Sequence, residues 1–167
     1  DLFDDPPCTP AKKSSNQSII QYDYNSSLPV KISLNDLQDQ QRYLLTESKV
    51  FCMYPWIHIH AYPTGETWPC CMADMKAGGL GSVKQNSLKG LWNIDRMKQL
   101  RVNMLTETPD SMCTRCYESE KSGFFSGRRS ANKHHGHHIH KVDNTKSDGH
   151  LENFELVYWD IRFSNLC

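Results

Sequence analysis

The sequence lacks the features that would assign it to several common functional classes. Its 19 Lys and Arg residues balance 19 Asp and Glu residues, so the formal net charge is zero. A general nucleic-acid or anionic-membrane binder needs a basic surplus, so we expect neither partner. No apolar run approaches the ~20 residues that span a bilayer, and the first residues have no signal-peptide pattern. We expect both ends to be truncations of a longer parent.

The chain also lacks an even number of cysteines. It has seven, and an extracellular disulfide framework would leave one unpaired. Five of the seven lie between Cys52 and Cys116, and the last two of these form a Cys113-Thr-Arg-Cys116 pair. Thiols spread in this way, without a secretion signal, are typical of a metal or iron–sulfur site. The expected compartment is the reducing cytoplasm.

Composition divides the chain into four stretches. Residues 1–32 are rich in Ser, Asn, Pro and Lys and poor in large apolar residues, which predicts a disordered or loosely ordered leader. Residues 33–125 carry most of the cysteines among helical and strand patterns, which predicts a small α+β domain. Residues 126–153 include histidines at 134–140 and suggest a polar linker. Residues 154–167 begin with an apolar run that suits a strand covered on both faces of a parallel sheet.

Local patterns within 33–105 predict a hairpin between helices. Ser33 is a candidate N-cap for a helix over Leu34–Thr46. Residues 56–62 alternate as a strand does, and Pro63-Thr-Gly65 predicts a turn before a second strand. Residues 77–81 suggest a flexible turn. Ser87 is a candidate cap for a helix over Leu88–Trp92, and helical spacing predicts another from about Ile94 to Leu105.

The CxxC pair follows Pro109, which stops the preceding helix. Asp110 or Ser111 is a candidate cap for a new helix in which Cys113 and Cys116 share one face. Free N–H groups and the positive end of the helix dipole favour thiolates there. Two histidines, at 58 and 60, share one strand face, and we expect them to pack or hydrogen-bond near the site, since four cysteines already complete a ligand set.

The spacing of these signals resembles a known family. Twelve residues separate Cys52 from Gly65 and four separate Gly65 from Cys70, and the CxxC pair follows. This series is similar to the SPASM/twitch auxiliary iron–sulfur domain of radical SAM enzymes. The shorter, single-cluster twitch form fits better, because no cysteine lies between Cys116 and Cys167.

The resemblance implies a ligand set. Cys52, Cys70, Cys113 and Cys116 would hold an auxiliary [4Fe–4S] cluster, with Cys71 as the alternative to Cys70. Residues 158–167 resemble the first strand and loop of a radical SAM core, an α/β barrel. Cys167 would be the first cysteine of the core-cluster motif, with two more beyond this chain. The implied fold is therefore a hairpin and helices around a Cys-ligated cluster, followed by the first barrel strand.

The resemblance also implies a function. The parent would be a radical SAM enzyme with a second [4Fe–4S] cluster, S-adenosylmethionine, a peptide or protein substrate, and an electron donor such as flavodoxin or ferredoxin. This portion alone would bind a cluster without catalysing. From the residues themselves, a non-enzymatic zinc module with four thiolates stays open. A thiol oxidoreductase at the CxxC is disfavoured, because a helix and Pro109 precede the pair where a strand is required.

Overall fold

The computed structural model describes residues 37–162 and 164, which form a mixed α and β structure. The α-helices are α1 Asp39–Thr46, α2 Leu88–Trp92, α3 Asp95–Leu105, α4 Thr114–Lys121 and α5 Gly127–His135. Segments of 3-10 helix occupy Tyr54–Trp56, Met75–Ala77, Ser111–Cys113 and Gly136–Asn144. The strands are β1 His58–Ala61, β2 Glu66–Trp68, β3 Gly81–Ser82 and β4 Tyr158–Ile161. The predicted α+β class is confirmed for this part of the chain.

The strands form one sheet in the order β3-β2-β1-β4. The predicted hairpin is β1 and β2, which pair antiparallel with His60 opposite Trp68. Gly65 has φ +90° in the turn between them, a conformation that glycine adopts without steric cost. β4 pairs parallel with β1, with His60 opposite Asp160. The sheet therefore joins the hairpin to a strand about a hundred residues farther along the chain.

The core packs around a buried arginine. Arg101 on α3 is fully buried and donates to the carbonyl oxygens of Pro55 (2.9 Å), Trp92 (2.8 Å) and Gly149 (3.1 Å). Burial lowers its pKa to about 9, and these neutral acceptors satisfy its donors. Gly149 has φ +85°, and a Cβ there would lie 2.1 Å from the Lys98 carbonyl oxygen. Arg101 thus joins three separate segments to α3.

Two helices predicted with Ser caps come out differently. Ser87 caps α2 as predicted, because its hydroxyl accepts a hydrogen bond from the Gly90 N–H. The first helix, in contrast, begins at Asp39 with Gln38 as its N-cap, so the predicted start is wrong. The predicted cap, Ser33, lies outside the described residues. The glycine-rich turn at 77–81 is also partly wrong, because Gly81 belongs to β3 and pairs with Thr67.

The predicted polar linker at 126–153 is wrong within 127–144. These residues form α5 and the 3-10 segment Gly136–Asn144, and Arg128, Ala131 and Asn132 are each at most 4% exposed. They follow helical i, i+3, i+4 spacing. The buried face is mostly polar, so hydropathy does not reveal it, and hydrogen bonds offset its desolvation. Low hydrophobicity therefore does not indicate solvation in this segment.

The last predicted strand is present but is not covered on both faces. β4 lies at the edge of the sheet, and Tyr158 and Trp159 remain 42% and 47% exposed. The expected burial is therefore wrong, because one neighbouring strand and one packed face leave these side chains accessible. Cys167 and any barrel strand beyond it lie outside the described residues. Among residues 37–162 and 164, no helix has both the length and the apolarity to cross a membrane.

Candidate metal centre

Three separate segments contribute thiols to one region. Cys52 precedes the 3-10 turn Tyr54–Trp56, and Cys70 follows β2. Cys113 ends the turn Ser111–Cys113 and Cys116 lies in the first turn of α4. Cys52 and Cys116 are 6% exposed, and Cys70 and Cys113 are half-buried. All four are free thiols, and so is Cys71.

The four thiols are near enough to influence one another's ionisation. Burial raises the pKa of Cys52 well above its ordinary value, and the nearby Cys70, Cys113 and Cys116 raise it further. Burial, followed by the proximity of Cys116, raises the pKa of Cys113 to about 12. Burial and Cys113 likewise raise the pKa of Cys70. Four thiolates in this position repel one another and need a cationic partner.

Cys71 has different surroundings from Cys70. It is exposed, its thiol hydrogen-bonds with the Asp160 carboxylate, and Arg162 lies nearby. The ionisation of Cys70 is instead influenced by Cys113 and Cys116. The adjacent cysteines therefore have two different environments, and Cys70 is the member of the pair that lies with Cys52, Cys113 and Cys116. We call these four cysteines the four-thiol set.

The four-thiol set is not closely packed. Within 37–162 and 164, no three Cys, His, Asp or Glu side chains are gathered closely enough to hold one metal ion. Neither the thiols nor the histidines between 134 and 140 form such a group. The four thiols are thus close enough to influence one another's ionisation without closing around a single centre.

Hydrogen-bond donors surround the sulfurs. The Tyr54 backbone N–H donates to Cys52, and the Met72 backbone N–H donates to Cys70. The Tyr117 hydroxyl donates to Cys113 and accepts a longer bond, 3.4 Å, from the Asp110 N–H. Such donors favour the charged form of a thiol and the negative charge of a metal–thiolate centre.

The beginning of α5 supplies two further donors. The backbone N–H groups of Gly127 and Arg128 donate to the Cys116 sulfur, which partly offsets the rise in pKa that burial causes. Ser126 caps this helix, because its hydroxyl accepts a bond of 3.1 Å from the Arg129 N–H. The positive end of the α5 dipole therefore faces a thiol. Sequence analysis assigned that role to the CxxC helix alone.

Arg128 also ties α5 to the Cys52 segment. Its guanidinium donates to the carbonyl oxygens of Ser48 (3.0 Å) and Phe51 (2.9 Å) and pairs with the Glu120 carboxylate of α4. Burial alone would raise the pKa of Glu120, but hydrogen bonds from Arg128 and Ser126 hold it below its ordinary value. One side chain thus links the backbone beside Cys52 to the helix that carries Cys116.

A second buried ion pair shapes the entry to the CxxC. Asp110 accepts two bonds from Arg96, of 2.8 and 2.5 Å, and one of 2.9 Å from the Met112 N–H. Burial would raise the pKa of Asp110, but these bonds hold it below its usual range. Asp110 is a cap as predicted, but of the 3-10 turn Ser111–Cys113, whereas α4 begins at Thr114 with Cys113 as its N-cap. Arg96 on α3 holds the Asp110 carboxylate in place.

The hairpin histidines contact β4 and are not part of the four-thiol set. His58 Nδ1 lies 2.8 Å from the Tyr158 carbonyl oxygen, and His60 Nδ1 lies 3.0 Å from the Asp160 carboxylate. The His58 ring stacks on Tyr158 at 4.7 Å, and His135 of α5 stacks on the same ring at 5.7 Å. This outcome matches the expected hydrogen-bonding role.

Sequence reasoning missed α5 entirely. A signal was present, because Ser126 is a good N-cap and is followed by Arg128, Ala131, Asn132 and His135 at helical spacing. The pattern is hidden because three of the four inward positions are polar. A search for buried apolar faces passes over such a helix.

Comparison with known families gives a match. Residues 52–117 match the family model of SPASM, an iron–sulfur cluster-binding domain. The SPASM-matched segment spans all four grouped thiols and covers about two fifths of the chain. No curated protein and no solved structure matches the chain. The match implies iron–sulfur cluster binding, and SPASM domains are typical of radical SAM enzymes.

Proposed function

We propose that Cys52, Cys70, Cys113 and Cys116 hold one [4Fe–4S] cluster. The observation that carries this proposal is that four free thiols from three segments, all within the SPASM-matched residues, lie near enough to influence one another's pKa. Four cysteine thiolates are the usual ligand set of such a cluster. Cys70 is the proposed ligand of the adjacent pair, because Cys71 lies against Asp160 instead.

The surroundings of the thiols support this assignment. Each of the four sulfurs receives at least one hydrogen bond, and Cys116 receives two from the beginning of α5. A negatively charged, thiolate-bound cluster is stabilised by such donors, and its potential depends on them. When bound, the cluster would supply a site that accepts or donates one electron. The protein residues exclude water from the sulfurs and fix their positions.

We further infer that the chain is part of a radical SAM enzyme in which this cluster is auxiliary. The SPASM match supports this parent class, and so does the resemblance of residues 158–167 to a core strand. In the proposed enzyme, Cys167 begins the motif of a second [4Fe–4S] cluster that binds S-adenosylmethionine. A peptide or protein substrate and a flavodoxin or ferredoxin donor complete the proposal. The described residues alone are not expected to catalyse.

Anaerobic reconstitution with iron and sulfide tests the cluster. We expect about four irons and four sulfides per chain and a Mössbauer spectrum of a [4Fe–4S] centre. A folded protein that assembles no four-iron cluster under these conditions contradicts the proposal.

Zinc is the competing occupant, and the same preparation distinguishes it. A colourless protein with one zinc per chain after anaerobic purification would favour a structural zinc module. The two occupants also require different spacings. Zinc–sulfur bonds of ~2.3 Å place tetrahedral sulfurs about 3.8 Å apart, whereas a cube of iron and sulfide holds its thiolates farther apart.

A further inference from the structure

A large cavity lies beside the four-thiol set, and none of the four cysteines lines it. Its volume is about 900 Å³, within the 300–1,000 Å³ typical of ligand pockets. The end of α1, the loop at residues 48–50, and helices α4 and α5 form its walls. Nothing in the proposed cluster site uses this space, so it needs its own explanation.

The cavity walls are strongly cationic. Five basic side chains line it against two acidic ones, an excess of three positive charges: Lys49, Lys121, Arg128, Arg129 and Lys133 against Glu118 and Glu120. Both acids already have basic partners. Glu118 pairs with Lys121 at 3.0 Å, and Glu120 pairs with Arg128. The field in the cavity therefore favours an anionic occupant.

Apolar groups separate the charges. Leu45, Val50, Tyr117 and Phe125 also line the cavity, and the Arg129 guanidinium lies 5.0 Å from the centre of the Phe125 ring. The most buried cation, Arg128, already donates to Glu120 and to two backbone carbonyls. It is therefore not available as a convergent clamp for one small anion. Charges dispersed among apolar surfaces suit a chain that alternates acidic and apolar side chains.

Two residues that line the cavity also donate hydrogen bonds to the four-thiol set. Tyr117 lines the cavity, and its hydroxyl donates to the Cys113 sulfur. Arg128 lines it as well, and its backbone N–H donates to the Cys116 sulfur. An occupant that moves either residue alters the hydrogen bonding of a proposed cluster ligand.

We propose that this cavity binds an acidic, partly apolar peptide segment of another polypeptide, with Lys49 and Arg129 as its principal cationic contacts. The inference deepens the proposed function by naming a peptide class. It rests on that function only for the link between peptide and cluster. Binding itself requires only the fold of the described residues.

Fluorescence anisotropy with the full chain tests binding. The probe is a labelled Glu-Leu-Glu-Phe-Glu-Leu peptide, and the matched control peptide carries Gln in place of each Glu. We expect the acidic peptide alone to bind, and to bind more weakly at about 0.5 M than at about 0.05 M salt, since salt screens exposed charges. The double variant Lys49→Gln/Arg129→Gln should weaken binding by at least about tenfold, or ~1.4 kcal/mol.

Lys89→Gln is the control variant, because Lys89 is an exposed cation on α2 and does not line the cavity. It should bind the peptide as the wild type does. Circular dichroism and urea unfolding check that each variant is folded. Equal binding of the Gln peptide, or full binding by the folded double variant, overturns the proposal.

Two other occupants give distinct results. If inorganic phosphate or succinate displaces the peptide at equimolar concentration, the cavity is a small-anion site and the peptide proposal is wrong. The chain's own residues 1–7 contain Asp1, Asp4 and Asp5. If the probe binds only to the Asp1→Asn/Asp4→Asn/Asp5→Asn variant, that segment is the occupant and the proposed separate polypeptide is wrong. Failure to bind either protein also overturns the proposal.

Iron analysis of the same samples separates the two proposals. Peptide binding without a four-iron cluster leaves the cavity proposal standing while the proposed function fails. A cluster without peptide binding gives the opposite result. With both present, the peptide should change the visible circular dichroism of the cluster, because Tyr117 contacts both.

Discussion

Residues 52–117 and residues 126–144 contribute to the same site in different ways. The first stretch supplies the thiols, and it matches the SPASM family model. The second has no motif, yet Gly127 and Arg128 donate to the Cys116 sulfur and Arg128 holds the backbone beside Cys52. The difference teaches that a ligand set is recognisable by spacing, whereas the groups that hold and tune it come from ordinary residues elsewhere.

The largest expected effect is on iron content, and it distinguishes the proposed cluster ligand from the adjacent cysteine within residues 52–117. Cys70→Ser should reduce reconstituted iron by at least about tenfold, because a hydroxyl is a poor replacement for a thiolate ligand of iron. Cys71→Ser, the matched control, should retain about four irons per chain because Cys71 lies beside Asp160. Iron and sulfide analysis measures both. The reverse result would make Cys71 the ligand.

The first stretch was predictable because its signals are local. The hairpin follows from strand alternation and from Gly65, whose positive φ suits the turn. The cap at Ser87 and the cap at Asp110 follow from side-chain chemistry. The grouping of thiols came from family spacing, and their separate roles as ligands stay a prediction.

The second stretch was not predictable by the same means. Arg128 and Asn132 are buried through hydrogen bonds to Phe51, about eighty residues away in sequence. Such long-range polar contacts leave no periodic apolar signal. The same limit explains β4, whose pairing with β1 depends on partners at 58 and 60 rather than on a covering layer.

The second-largest effect tests whether α5 is structural. Arg128→Met should lower the free energy of unfolding by about 3–5 kcal/mol, because the buried Glu120 carboxylate loses its cationic partner and the carbonyl oxygens of Ser48 and Phe51 each lose a donor. Urea unfolding of the metal-free protein measures the loss. Arg129→Met is the neighbouring control. It changes an exposed side chain whose guanidinium lies over the Phe125 ring, so the loss should stay within about 1 kcal/mol. Equal free energies of unfolding for the two variants would mean that the Arg128 contacts of α5 do not stabilise the fold.

A smaller effect tests where the two stretches meet on Tyr158. Burial lowers the pKa of His58 to about 4. The unfolded state therefore binds more protons between pH 6.5 and 4, and stability falls as pH decreases through that range. At pH 5 the loss from His58 should be about 2 kcal/mol relative to pH 7.5.

His58→Asn should remove the His58 share of that pH dependence, measured as urea midpoints of the metal-free protein at the two pH values. Some dependence should persist, because burial also lowers the pKa of His138 to about 4 and lowers the pKa of His135. His140→Asn, at an exposed position, should leave the wild-type difference intact. A wild-type difference that persists undiminished in His58→Asn would assign the pH dependence to other groups.

The smallest effect isolates one hydrogen bond from the second stretch to the first. Gly127 is the first residue of α5, where proline fits, and Ser126 before it is extended with φ −89° and ψ 164°, as a residue before proline should be. Gly127→Pro therefore removes the N–H donor to Cys116 and preserves the helix. Gly127→Ala is the control. Like proline, it adds a Cβ, which would lie 3.0 Å from the flexible Met72 side chain, but it keeps the N–H.

Hydrogen bonds to sulfur stabilise the more negative, reduced cluster. A bond of about 0.5–1.5 kcal/mol corresponds to roughly 20–60 mV for one electron, so the proline variant should have a lower midpoint potential than the alanine variant by that amount. A redox titration followed by electron paramagnetic resonance measures both. Equal potentials at equal iron content would restrict α5 to holding the Cys52 backbone. The tuning of the cluster would then lie wholly within residues 52–117.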